Sequence, residues 1–296
     1  MKKFEVLFIA TLSLIMMASC SQDAQEEKDE NTMVPVTVQV NGFVISQDDI
    51  PSNRATAVSD YNNVKFLTLA FYKVSDGSQA YKYTQSRSDN TTYTTFGEFA
   101  LSLPFGSYTM VVIANAGNDA VSLTSATLAS YGENNVKDTF VASQVVNITS
   151  GSSVNLTATH DRIVAALSVQ STDNRPADVT QMRFTYSKGG KSFDPTTGRA
   201  TSDAGFVTTM TYSGAAGSTT KTGGYLFLAE DEETMNVTIE TLNADGAVLF
   251  SKTVNNVPLK RNRITTLTGA VYTNSGITAG SFKVNDSWLT AYNMDL

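Results

Sequence analysis

Apolar positions along this chain recur with a period of two far more often than with a helical period. Val34, Val36, Val38 and Val40 alternate with Pro35, Thr37, Gln39 and Asn41. That spacing puts four apolar side chains on one face of an extended segment. It predicts further strands over 64–74, 97–103, 106–115, 144–148 and 153–157. A second series is expected over 162–170, 179–186, 224–229, 235–242, 248–254 and 264–272. Val, Thr, Tyr and Phe dominate these runs, as suits pleated, half-buried surfaces. Gly, Asn, Asp and Ser fill the joints. The stretch 119–131 is less regular, and Val121, Leu123, Leu128 and Tyr131 suit a short helix or a loop. Short strands at even spacing predict an all-β chain of two tandem β-sandwiches. The break is expected near Thr157–Asp161, giving an N-terminal domain over 55–158 and a C-terminal domain over 159–296. The last segment, about 273–296, reads as a tail. Phe282, Val284, Trp288, Tyr292, Met294 and Leu296 share one parity there, interrupted by Asp286 and Thr290.

The first residues follow a different pattern. Lys2 and Lys3 precede an apolar run, Leu7–Ala18, too short for the roughly 20 residues of a spanning helix. The run ends in Met17-Ala18-Ser19-Cys20, a bacterial lipobox pattern with Met at the Leu position. Residues 1–20 are therefore expected to be a lipoprotein signal peptide, with lipid attached at Cys20. Ser21–Asn31 carries five acidic residues and nothing apolar larger than Ala, which reads as a solvated tether. After the first strand comes a polar stretch, 46–57, with Arg54 inside it.

Composition narrows the chemistry. Cys20 is the only cysteine, so neither a disulfide framework nor a cysteine-ligated metal is expected. A net charge of −7 argues against a nucleic-acid partner. His160 is the single histidine and lies at the expected domain joint, where a structural or solvent-exposed role is expected. No G-x-S-x-G elbow is present. Four consecutive carboxylates, Glu230, Asp231, Glu232 and Glu233, lack the alternation of a calcium loop and read as a solvated loop. Residues 214–224 fail the order of a phosphate loop and read as a hairpin loop. Lys260, Arg261 and Arg263 are too few for a polyanion site. No enzyme, cofactor or metal is expected.

Four motifs in this order resemble the fimbrillin superfamily, the subunits of Bacteroidales type V pili. They are the lipobox ending at Cys20; Asn53-Arg54-Ala55-Thr56 after the first strand; His160-Asp161-Arg162-Ile163-Val164-Ala165-Ala166 in mid-chain; and Val257–Arg263 leading into Ile264–Gly269. The resemblance implies transthyretin-like sandwiches. It also implies a lipoprotein held in the outer membrane and cut between Arg54 and Ala55 by an arginine-specific protease. The cut would discard residues 21–54 with the strand Val34, Val36, Val38 and Val40. A neighbouring subunit's tail, through Phe282, Val284, Trp288, Tyr292, Met294 and Leu296, would refill the groove and build a cell-surface fimbrium for adhesion and biofilm. The expected partners are thus other pilin subunits. Arg54 and the long tail favour a shaft subunit. A tip or anchor subunit, or a surface glycan-binding lipoprotein, is the alternative.

Overall fold

The computed structural model describes residues 32–44, 55–58, 61–88, 95–132, 136–149, 152–212, 215–273 and 283–288. Among these residues the chain is all β, with no α-helix. The first ten strands are β1 (Met33–Val44), β2 (Ala55–Thr56), β3 (Phe66–Lys73), β4 (Gln79–Ser86), β5 (Glu98–Pro104), β6 (Gly106–Asn115), β7 (Ser122–Ser125), β8 (Leu128–Ser130), β9 (Thr139–Ile148) and β10 (Val154–Arg162). The second ten are β11 (Val164–Ser171), β12 (Gln181–Tyr186), β13 (Ser192–Asp194), β14 (Arg199–Ala200), β15 (Phe206–Thr211), β16 (Lys221–Phe227), β17 (Glu232–Leu242), β18 (Val248–Lys260), β19 (Arg263–Gly269) and β20 (Lys283–Trp288).

An eight-stranded sheet runs β2-β1-β10-β9-β6-β3-β4, with β5 also paired to β1. β9 and β10 pair only where Phe140 and Val141 meet Arg162 and Asp161. Beyond that corner they diverge, and the sheet folds into two layers. One core lies between the layers, from Val34, Val36, Val38, Phe99 and Leu103 to Leu67, Leu69, Phe71 and Val112. In the second half, sheets β16-β11-β19-β20 and β15-β12-β17-β18 enclose another core around Leu167, Val169, Phe184, Leu226 and Val237.

A third core joins the two. The outward faces of β3 and β6 (Ala70, Tyr72, Val111, Ile113) share it with Val164, Ala166, Phe227 and Ile264. β3, β6 and β11 are therefore covered on both faces. That is why they read as continuous apolar runs rather than alternating ones. A small sheet, β14-β13-β8-β7, crosses the same joint, with Ala129 paired to Phe193.

Two expectations are corrected here. The 119–131 stretch forms β7 and β8, which are too short to show a period; their apolar residues are held by the shared core. The 214–224 stretch closes no hairpin. It carries the chain from β15 in one sheet to β16 in another, and its last residues already belong to β16.

Candidate functional site

β1 occupies an interior place in its layer. It pairs parallel with β10, from Val36↔Val154 to Val44↔Asp161, and antiparallel with β5, from Met33↔Pro104 to Gln39↔Glu98. Its far end pairs with β2 through Phe43↔Thr56 and Val44↔Ala55. Val34, Val36, Val38 and Val40 point inward and are 0–6% exposed. The register shifts between Val40 and Gly42. This bulge flips the parity, so the next inward side chain is Phe43, which is fully buried. Phe43 packs on Phe140 at 5.1 Å between ring centroids, on His160 at 5.5 Å and on Tyr61 at 5.6 Å. Five such side chains, at roughly 1.5–3 kcal/mol each, bury as much free energy as an average domain has net stability. Even allowing for an overestimated reference state, β1 cannot leave the intact chain on its own.

His160 is fully buried, and neither ring nitrogen has a well-formed hydrogen bond. Burial pushes its pKa down to about 3, against weaker backbone contacts from Gly42 and Val112. The ring is therefore neutral and serves as an apolar wall. The solvent-exposed option for His160 is thereby removed, and the structural one remains.

Beside this wall lies a buried polar node. Arg162 donates to Asp138 through Nε at 2.9 Å and Nη2 at 3.2 Å, to the Tyr61 hydroxyl at 2.7 Å, and to Asn262 Oδ1 at 3.1 Å. Tyr61 in turn donates to Asp138 at 3.1 Å. Burial works against the Arg162 charge, but the Asp138 carboxylate together with the Tyr61 and Tyr225 hydroxyls outweighs it and the pKa is raised. The guanidinium also lies 4.7 Å over the Phe140 ring. Asn262 adopts φ 58°, a left-handed turn that Asn tolerates better than most residues. Two of the sequence motifs thus meet here, Arg162 from the mid-chain run and Asn262 from the run before Ile264. Together they tie the two halves.

The remaining sequence-predicted residues are placed as follows. Ala55 opens β2, next to Val44. Cys20 and Arg54 lie outside the described residues, as do Phe282, Tyr292, Met294 and Leu296. Val284 and Trp288 belong to β20, opposite Leu267 and Arg263 of β19. The acidic run is paired rather than merely solvated: Arg199 contacts Glu230 and Asp231, Arg261 binds Asp231 at 3.0 Å, and Lys260 meets Glu232. The β17–β18 ladder sets Glu232 opposite Lys260, and Arg199 reaches the run from β14. Among the described residues no cluster of potential metal ligands occurs. Sequence reasoning missed Phe43, Tyr61, Asp138 and the β5/β10 flanks. Gly42 was the one available signal, since a glycine inside a strand pattern marks a bulge.

The model of the Family of unknown function (DUF6562) matches residues 26–288. No curated protein matches. Several solved structures do. A provisionally assigned adhesin of Bacteroides ovatus is 9% identical, with 86% of this chain and 95% of that one covered and a TM-score of 0.52. A provisionally assigned adhesin of Bacteroides thetaiotaomicron is 11% identical, covering 88% and 98%, at 0.51. A Bacteroides thetaiotaomicron structure provisionally described as a polysaccharide-binding protein is 11% identical, covering 86% and 96%, also at 0.51. At these identities the likeness is one of fold.

Proposed function

The chain belongs to that family of unknown function, and we propose that it is a structural subunit of a type V pilus shaft, assembled by protease-triggered strand exchange. In this reading the chain is exported with lipid on Cys20, reaches the outer membrane, and is cut between Arg54 and Ala55. Residues 21–54 depart. Residues 55–158 and 159–296 remain as the two domains of the mature subunit.

One observation carries the reading. β1 lies between β5 and β10, and its covalent link to the rest of the fold runs through the Arg54 segment to β2. Cutting that link turns an intramolecular strand into a dissociable one and so forfeits its high effective concentration. Departure would leave a groove whose two walls, β5 and β10, present unpaired backbone to an incoming strand. The fold shared with the two provisionally assigned adhesins supports a surface role. β20 rests on β19 in its own sheet, so assembly requires it to transfer to a neighbour. The test is N-terminal sequencing of surface filaments, with Arg54→Ala alongside. Ala55 at the N-terminus and an unassembled Arg54→Ala monomer are expected. Filaments formed normally by Arg54→Ala, or a blocked lipidated N-terminus, would turn the reading toward an anchor subunit or a glycan-binding lipoprotein.

A further inference from the structure

The four valine positions of β1 are alike, but Phe43 is not. After the bulge, one large ring drops into a cage of Tyr61, Phe140 and His160 at centroid distances of 5.1–5.6 Å. The cage is stiff. Tyr61 and Phe140 pack edge to face at 5.5 Å. The Tyr61 hydroxyl is held by Asp138 and Arg162, and Arg162 covers the Phe140 ring. None of the three cage residues belongs to residues 21–54, so the cage stays when β1 goes. A preformed aromatic pocket at one end of a groove otherwise occupied by four valines is what fixes register in strand addition.

We propose that this cage is the anchor pocket of the groove: it retains the cut first strand through Phe43 and afterwards takes an aromatic side chain from the tail of a second copy of this chain. The inference rests on the strand-exchange reading. The occupant must come from another copy, because this chain's own β20 sits on β19 in a different sheet. The tail offers three aromatic residues of its shared parity, Phe282, Trp288 and Tyr292. The other apolar residues of that parity, Val284, Met294 and Leu296, suit the valine positions better than the cage.

The single histidine makes occupancy directly readable by NMR titration. With the cage filled, His160 stays neutral to about pH 3. With the cage open, water reaches the ring, and its pKa should return toward about 6.5. The expected sequence in the full-length protein is resistance to protonation before cleavage, ordinary titration once the cut strand has left, and resistance again when filaments form or a 282–296 peptide is added. Phe43→Ala should speed loss of the cut strand by at least about a hundredfold. Phe43→Leu, a gentler change for the intact fold, should give a smaller acceleration. Ala at one of Phe282, Trp288 or Tyr292 should block refilling, with Phe restoring it at Trp288 or Tyr292. If filaments form while His160 titrates near 6.5, or if all three Ala variants refill normally, strand exchange stands and the anchor pocket is wrong. If the emptied protein neither assembles nor binds the peptide, the exchange reading falls. The retention half is then judged alone, and a Phe43→Ala strand that leaves no faster than the native one overturns it.

Discussion

β1 and β20 are the first and last strands of the described chain, and they are held in opposite ways. β1 is paired to three strands, and its inward row is buried in the first core. Among the described residues β20 pairs with β19 alone, through six residues from Thr268↔Lys283 to Arg263↔Trp288, and forms the outer strand of its sheet. Removing β1 breaks ladders on both sides and empties a core. Removing β20 breaks one ladder. The difference teaches an order of events. A strand held like β1 needs a covalent cut before it can leave, whereas a strand held like β20 can peel away by local opening. On the proposed strand-exchange reading, a protease acts at one end and none is needed at the other.

The largest effect should come from charging the β1 row. Val38→Asp places an unpaired carboxylate where the native side chain is fully buried, and should cost the intact chain more than about 4 kcal/mol. Chemical denaturation reads this as loss of a cooperative transition. If the variant melts like the native protein, β1 is not held as its burial implies.

The next test concerns the scaffold that would remain on the proposed departure of β1. β10 would have to stay in place, and among the described residues only Asp161 and Arg162 pair it to β9. Arg162→Met strands Asp138 as a buried unpaired charge and should cost about 3–5 kcal/mol, with much of that loss recovered in Arg162→Met/Asp138→Leu. A single variant within about 1 kcal/mol of native would show that the node does not hold the joint.

The smallest effect is expected at the other end. Deleting Phe282–Leu296 should leave a secreted monomer with a cooperative melt and stability within about 1 kcal/mol of native, yet no filaments. A loss of several kcal/mol would mean that β20 completes its own domain and that the two terminal strands are not opposites at all.

Much of the fold was legible in the chain itself. The alternation at Val34, Val36, Val38 and Val40 is a property of neighbouring residues, and it predicted both a strand and its inward face. The apolar runs at β3, β6 and β11 marked strands too. Their second buried face was not readable, because it depends on the packing of one half against the other. β4 was missed because its polar, half-exposed residues carry no clear period. The candidate site was legible only in part. The motif residues Arg162 and Asn262 stood out, but their meaning required 100 residues of intervening chain to fold them together.

What the sequence by itself determined is local: all-β character, the valine row, the acidic run before the first strand and the arginine-bearing stretch after it. Side-chain parity encodes the first two, and composition over neighbouring residues the others. Only the tertiary structure decided that β5 and β10 flank β1, that a bulge turns Phe43 inward, and that His160 lines its cage. Those facts depend on pairings between segments far apart in the chain. Register between strands is set by how distant faces pack, and a one-residue shift such as the one at Gly42 reverses every orientation after it.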